Sequence, residues 1–250
     1  MMKKDEIIYG LHPVQEAILA GKDIDRLLIQ KGLKGSAYAG LWQLLKAHNI
    51  VYQLVPIEKL NQLTRSNHQG LIAFVSQIEY QPIDAILPAV FEKGEVPLVV
   101  VLDRITDVRN AGAISRTALC AGVHALIIPE RGGARMTADA VKTSAGALHT
   151  LPVCRVSSLK DTLLYLRQSG LKIVAATEKA AMTYYEADLR PPLAIVMGSE
   201  EDGVSLDLMR MADELLRIPM SGPVTSLNVS VSAGIMMYEA LRQRSLAVND

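Results

Sequence analysis

The stretch Leu98 to Ile128, LVVVLDRITDVRNAGAISRTALCAGVHALII, decides the fold. Its first five residues, Leu98 to Leu102, are a continuous apolar run. That is the pattern of a parallel strand covered by helices on both faces. Ala111 to Ala121 then reads as a helix, and Ala125 to Ile128 as a second strand. Strand, helix, strand at this spacing predicts a βαβ unit. Toward the C-terminus the alternation continues: Ala138 to Ala147 helical, Val153 to Val156 a strand, Leu159 to Gln168 a helix. Lys172 to Ala176, Leu193 to Met197 and Leu215 to Ile218 supply further strands. The prediction is a parallel α/β domain, in which ligands bind beyond the carboxyl ends of the strands.

Toward the N-terminus, Ile7 to about Val75 reads as a smaller α/β unit. His12-Pro13 suits a helix start, with Val14, Ala17, Ile18 and Leu19 as the apolar stripe ended by Gly21. Arg26 to Gln30 and Ile50 to Val55 read as strands around a helix over Tyr38 to His48. Asn67-His68-Gln69-Gly70 leads into a buried strand, Leu71 to Val75; His68 is either a locally packed turn residue or part of an RNA-contacting loop. Residues 77–96 hold Pro82, Pro88 and Gly94 and read as a linker with a helical piece around Ile83 to Phe91. The expected organisation is therefore 1–76, a linker over 77–96, and 97–250.

Composition narrows the class. Half of the 250 residues are hydrophobic, enough for a sizeable core, yet no apolar run approaches the roughly 18 residues of a membrane span. No secretory signal is visible. Cys120 and Cys154 lack metal-ligand spacing and five histidines are scattered, so no metal is expected. A soluble cytoplasmic protein is the expectation. Twenty-six basic residues balance twenty-six acidic ones, but seven bases face four acids from Asp103 to Arg155, whereas nine acids face three bases from Glu178 to Glu214. A neutral total can hide a basic face opposite an acidic one.

Three stretches combine glycine with polar side chains at the expected strand ends: Leu102 to Gly122, Leu193 to Ser205 (LAIVMGSEEDGVS), and Ile218 to Arg244 (IPMSGPVTSLNVSVSAGIMMYEALRQR). Neither a G-x-G-x-x-G fingerprint nor a P-loop is present, and no histidine lies in the three stretches. In the third, a turn over Met220 to Thr225 precedes a helix for which Ser226 is the natural N-cap and Val231, Ile235, Tyr238, Ala240 and Leu241 the buried face. Helix openings after Gly198 and around Ser226 offer unpaired backbone groups to a ligand. Each candidate also has a bland reading. Arg116 extends to solvent or pairs with Asp103, Glu200 is an acid favoured near a helix N-terminus, and Asn110 is an N-cap. Arg131-Gly132-Gly133-Ala134-Arg135 is either an RNA-binding loop or a solvated turn.

In order and separation, the three stretches resemble the signature motifs of the SpoU/TrmH family within the SPOUT class of RNA methyltransferases. The first matches through Asn110, Gly112, Ala113, Ile114, Arg116, Thr117 and Ala118; the second through Gly198, Glu200 and Gly203; the third through Ile218, Pro219, Met220, Ser226, Leu227, Asn228 and Ser230. The resemblance implies a C-terminal α/β SPOUT domain with a parallel sheet and a trefoil knot. It also implies a small N-terminal ribosomal-protein-like α/β domain that binds substrate, carried by Tyr9 to Val14 and His68 to Gly70.

It further implies S-adenosylmethionine as co-substrate, held by Gly198, Ile218, Leu227, Met220 and Thr177, with no metal. Asn110, Arg116, Glu200, Ser226 and Asn228 match the active-site positions. The implied reaction is methylation of a ribose 2′-hydroxyl, of a guanosine in large-subunit rRNA. The implied assembly is a homodimer for which Ile235, Tyr238 and Leu241 offer a surface. The alternatives are a tRNA ribose methyltransferase, a non-catalytic RNA-binding ribosome-assembly protein, and a small-molecule methyltransferase. Asp107-Val108-Arg109 departs from the family pattern, which often has proline before the asparagine.

Overall fold

The computed structural model describes residues 7–223 and 226–247, so residues 224 and 225 of the expected turn lie outside it. The chain divides into two compact units, the first ending at Glu79 and the second beginning at Tyr80.

The first unit contains β1 (Ile7–Tyr9), α1 (Leu11–Leu19), β2 (Ile24–Gln30), α2 (Ala39–Ala47), β3 (Tyr52–Val55), α3 (Ile57–Leu63) and β4 (Leu71–Val75). Its four strands run in the order β1-β4-β2-β3. Strands β2 and β4 alternate their side chains between two small cores. Leu27, Ile29, Leu71 and Ala73 face α1 and α2, whereas Leu28, Ile72 and Phe74 pack with Leu60 of α3. This is the two-residue period of a strand buried on both faces. His68 is buried; its Nδ1 accepts from the Gly70 N–H at 3.0 Å and its Nε2 lies 2.8 Å from Asn61 Oδ1. The ring is therefore occupied by local packing.

The second unit opens with α4 (Ile83–Glu92), whose Leu87 lies in the core of that unit. There follow β5 (Leu98–Leu102), α5 (Val108–Cys120), β6 (Ala125–Pro129), α6 (Ala138–Thr143), β7 (Val153–Val156), α7 (Leu159–Gln168), β8 (Lys172–Ala176), β9 (Met182–Thr183), β10 (Leu193–Met197), α8 (Leu206–Met211), β11 (Glu214–Arg217) and α9 (Val229–Ala247). Seven strands form one sheet in the order β7-β6-β5-β10-β8-β11-β9, and every pairing is parallel. Strands β5 and β10 are buried at every residue, as their apolar runs require. Helix α5 lies so close to α6 that a Cβ on Gly112 would meet the Ala140 carbonyl oxygen at 2.6 Å.

Three local expectations are corrected. Helix α9 starts at Val229 rather than Ser226, and Asn228 serves its first turn: Asn228 Oδ1 accepts the Ser230 N–H at 2.9 Å. Its buried positions are Val229, Ala233, Met236, Met237 and Ala240, while Val231 and Tyr238 are each 49% exposed. Apolar side chains occur on both the inner and the outer face of the helix, and the inner face is built from the small Ala233 and Ala240 and the flexible Met236 and Met237, with Glu239 buried beside them. Finally, no helix opens at Gly198. Residues 198–205 form a tight loop, and the following helix starts only at Leu206.

Candidate active site

The strand order brings three segments together at one end of the sheet. Strand β10 pairs with β5 on one side and β8 on the other, and β11 pairs with β8. The residues that follow β5, β8, β10 and β11 therefore converge beyond the carboxyl ends of adjacent strands.

The loop after β10 is the wall on which the others close. Gly203 N–H donates to the Ser199 carbonyl at 2.9 Å, and Asp202 N–H to Ser199 Oγ at 3.2 Å. A Cβ on Gly198 would lie 2.0 Å from the Gly203 carbonyl carbon, so only glycine lets the two limbs touch. Gly203 itself has φ +68°, a left-handed conformation that glycine adopts without a steric penalty. This loop bounds a cleft of about 510 Å³, within the roughly 300–1,000 Å³ of small-molecule sites. Thr177, Gly198, Ile218, Met220 and Leu227, the five candidates for holding a co-substrate, all line it, as do Glu200 and Ser226. Glu178 and Lys179, which the sequence did not single out, line it too. Thr177 is fixed at the end of β8 by its N–H to the Leu216 carbonyl at 2.9 Å.

Beside the cleft, three polar side chains distant in sequence form one hydrogen-bonded cluster. Asn110 does not cap α5, because Asp107 takes that place and accepts the Arg109 N–H at 2.8 Å. Asn110 instead points its amide at Glu200, donating to Oε1 at 3.0 Å. Asn228 donates to the same oxygen at 2.6 Å and to Asn110 Oδ1 at 3.0 Å, and the Val229 N–H adds a third donor to Glu200 at 3.3 Å. Ser230 Oγ–H donates to Asn228 Oδ1 at 2.5 Å, leaving that amide with no spare acceptor geometry and one fixed orientation. One carboxylate oxygen taking three donors is a charge-assisted arrangement, roughly twice as strong per bond as a neutral one. It ties α5, the 198–205 loop and the start of α9 to one another.

Arg116 does not join this cluster. It lies six residues further along α5, about 9 Å at the rise of an α-helix. Its side chain is exposed, and among the described residues it makes no hydrogen bond or ion pair. The expected alternative partner, Asp103, is buried and otherwise engaged: its Oδ2 accepts the Ser205 N–H at 2.7 Å. The 131–135 segment is held against the first motif by the Ala134 N–H, which donates to the Ile105 carbonyl at 2.7 Å. Among the described residues no group of three or more His, Cys, Asp or Glu side chains is disposed to hold a metal ion.

A parallel α/β unit with a cleft at its strand ends, glycine-walled and flanked by a carboxylate–amide cluster, has the architecture of a ligand-binding enzyme domain. Comparison with known proteins gives this class its family. Residues 97–238 match the model of the SpoU rRNA methylase family, and residues 7–81 match that of the RNA 2′-O ribose methyltransferase substrate-binding domain. A Staphylococcus saprophyticus protein assigned to the TrmH family of tRNA/rRNA methyltransferases is 38% identical over 239 residues, 96% of each chain.

Two solved structures are similar across both units. The AdoMet-bound rRNA methyltransferase from Sinorhizobium meliloti is 27% identical with a TM-score of 0.61, covering 95% of this chain and 87% of that one. The SpoU methyltransferase AviRb from Streptomyces viridochromogenes, in complex with AdoMet, is 26% identical with a TM-score of 0.61, covering 96% of this chain and 90% of that one. The chain belongs to the SpoU rRNA methylase family and is an RNA methyltransferase. No helix among the described residues is long and apolar enough to cross a membrane.

Proposed function

We propose that the protein methylates a ribose 2′-hydroxyl of a guanosine in large-subunit rRNA, in the cytoplasm and as a homodimer. S-adenosylmethionine is the co-substrate, the ligand that the two solved relatives hold. The cleft fits it chemically. Gly198 admits close backbone approach, Ile218, Met220 and Leu227 offer apolar contact to an adenosine, and the Glu178, Glu200, Glu201 and Asp202 carboxylates surround a place for a cationic donor. In the reaction the ribose oxygen attacks the sulfonium methyl carbon, the carbon–sulfur electron pair returns to sulfur, and the hydroxyl proton is released.

The observation that carries the reading is the cluster of Asn110, Glu200 and Asn228 beside that cleft. An alcohol is a weak nucleophile at neutral pH, so catalysis here rests on placing it and on helping its proton leave. The Arg116 guanidinium presents a planar fork of N–H donors. Exposed and free of partners among the described residues, it is available to hold the target phosphate through two parallel hydrogen bonds. Glu200 keeps Asn110 and Asn228 aimed, and Ser226 lies at the cleft edge. The exposed side of α9, with Val231 and Tyr238, supplies the dimer surface, and the catalytic domain carries the trefoil knot of the class.

The test is incubation of the purified protein with labelled S-adenosylmethionine and unmodified large-subunit rRNA, beside tRNA and a control without RNA. Label at one rRNA ribose, lost in Arg116→Ala with the fold intact, is the expected result. Label in tRNA alone would transfer the activity to the tRNA branch. Label without RNA, or failure to bind the donor, would refute the reading.

A further inference from the structure

Arg104, immediately beyond β5, has a conformation and a set of contacts that the reaction as described does not use. Its φ of +56° lies in the left-handed region, one of four such non-glycine residues among those described. For an ordinary side chain that conformation is strained, and such strain persists where surrounding structure imposes it. The guanidinium reaches across to the returning limb of the cleft-wall loop. Nη1 donates to Asp202 Oδ2 at 3.0 Å and Nη2 to the Gly203 carbonyl at 3.0 Å. Nε is buried without a hydrogen-bond partner, 3.5 Å from Asp103 Oδ2. Asp103 in turn holds the same limb one step further on, at the Ser205 N–H.

The ion pair has little to offer global stability. Its side chains are 40% and 69% exposed, and such surface pairs contribute close to nothing. A strained backbone with a weak surface pair has to be explained by what the pair holds in place. That is the 198–203 loop, every residue of which lines the cleft. The outgoing limb is fixed through Glu200 by Asn110 and Asn228, and the returning limb through Asp202 and Gly203 by Arg104. Arg104 lies in the short segment joining β5 to α5 and Asn110 in the first turn of α5, so one continuous stretch of chain grips the loop from two sides.

We propose that Arg104 is a positioning residue that sets the width of the methyl-donor cleft by clamping the Asp202–Gly203 limb. The inference rests on the donor-binding reading of the cleft given above. It assigns Arg104 to donor affinity rather than to the chemical step, because the cluster of Asn110, Glu200 and Asn228 does not depend on it for any hydrogen bond.

The test measures donor binding by calorimetry on the full chain, with S-adenosylmethionine as the titrant. It compares the native protein with Arg104→Gly, Arg104→Lys and Asp202→Asn. Glycine accepts the left-handed backbone, so Arg104→Gly removes the clamp while relieving the strain. The expected result is a Kd about tenfold higher in Arg104→Gly, the scale of losing a charged hydrogen bond, with an unchanged or higher melting temperature. In methyl transfer, KM for the donor rises in step and kcat stays within about twofold, since uniform binding is what has been lost. Lysine, a single point donor, restores part of the affinity, and Asp202→Asn weakens it in the same direction. Native Kd in Arg104→Gly would overturn the proposal. So would a fall in melting temperature that accompanies the affinity loss, which would make Arg104 a support of the fold. If the native protein itself bound no donor, the reading of the cleft would fall first.

Discussion

The contact between the two limbs of the 198–205 loop gives the sharpest prediction. In Gly198→Ala the new Cβ would stand 2.0 Å from the Gly203 carbonyl carbon, 2.1 Å from the Val204 nitrogen and 2.3 Å from the Gly203 oxygen. All three are backbone atoms, so no rotamer change relieves them. Ordinary contact starts at 3.4 Å, so the limbs must part by 1.4 Å. Overpacking of this kind costs about 1–3 kcal/mol, and a contact made wholly of backbone places it near the upper end. At roughly 2–4 °C per kcal/mol for a chain of this size, the melting temperature falls by about 5–10 °C.

The functional cost is larger, because the parted limbs are the cleft wall. A misplacement of about 1 Å is enough to cost on the order of a hundredfold in rate. Differential scanning calorimetry and methyl-transfer rates check both numbers, and titration with S-adenosylmethionine on the same preparation reads the cleft directly. A Gly198→Ala protein that melts and binds donor like the native one would refute the argument that limb closure shapes the cleft.

Other expectations follow from contacts already described. Glu200→Gln keeps an oxygen for the Asn110 and Asn228 amides but removes its charge; RNA methylation should fall at least tenfold while the protein stays folded, and an unaltered rate would remove the cluster from the mechanism. Gly112→Ala drives a methyl group to 2.6 Å from the Ala140 carbonyl and should lower stability by about 1–3 kcal/mol in urea unfolding; a neutral result would mean that α5 and α6 slide apart freely. Burial, helped by the Asp84 carboxylate, pushes the Cys154 thiol up to about 12, whereas Cys120 is exposed. An aromatic disulfide reagent should therefore titrate one thiol in the native protein and both in denaturant, and a second fast native thiol would contradict that burial.

Arg242 donates to both oxygens of Glu239 and holds its carboxyl below the usual carboxylate range. A depressed folded pKa stabilises at pH above the unfolded value, about 4.3, and that stability is lost as pH falls through the folded value. Glu239→Gln should thus lower the melting temperature at pH 7 and flatten its fall below about pH 4.5; a parallel pH profile would refute the linkage.

Much of the second unit was legible because a strand buried on both faces has to be apolar throughout: Leu98 to Leu102 and Leu193 to Met197 admit no other placement. The motif residues were legible as a group, since glycine, asparagine and serine at strand ends are poor choices for a core. The packing of α9 was not. Ala233, Met236 and Met237 bury while Val231 and Tyr238 face outward, and a helix with apolar residues on both faces does not announce its inner one. Capping was ambiguous for a related reason. Asp107 and Asn110 are both good caps three residues apart, and only the position of Glu200 frees the asparagine. Arg104 left no trace at all, because a left-handed arginine is imposed by neighbours roughly 100 residues away in sequence, Asp202 and Gly203. Strand β9, two residues long, fell below any periodic signal.

Helix α9 joins the two ends of the domain. Its first turn meets Glu200 through Asn228 and Val229, and near its other end Arg244 donates to the carbonyl oxygens of Val96, Pro97, Leu189 and Pro191, at the entry side of β5 and β10. It also follows every other element in chain order. During synthesis, then, the sheet can assemble and the 198–205 loop can close while Glu200 still lacks two of its three donors. The carboxylate–amide cluster gains its Asn228 and Val229 donors only once α9 has docked.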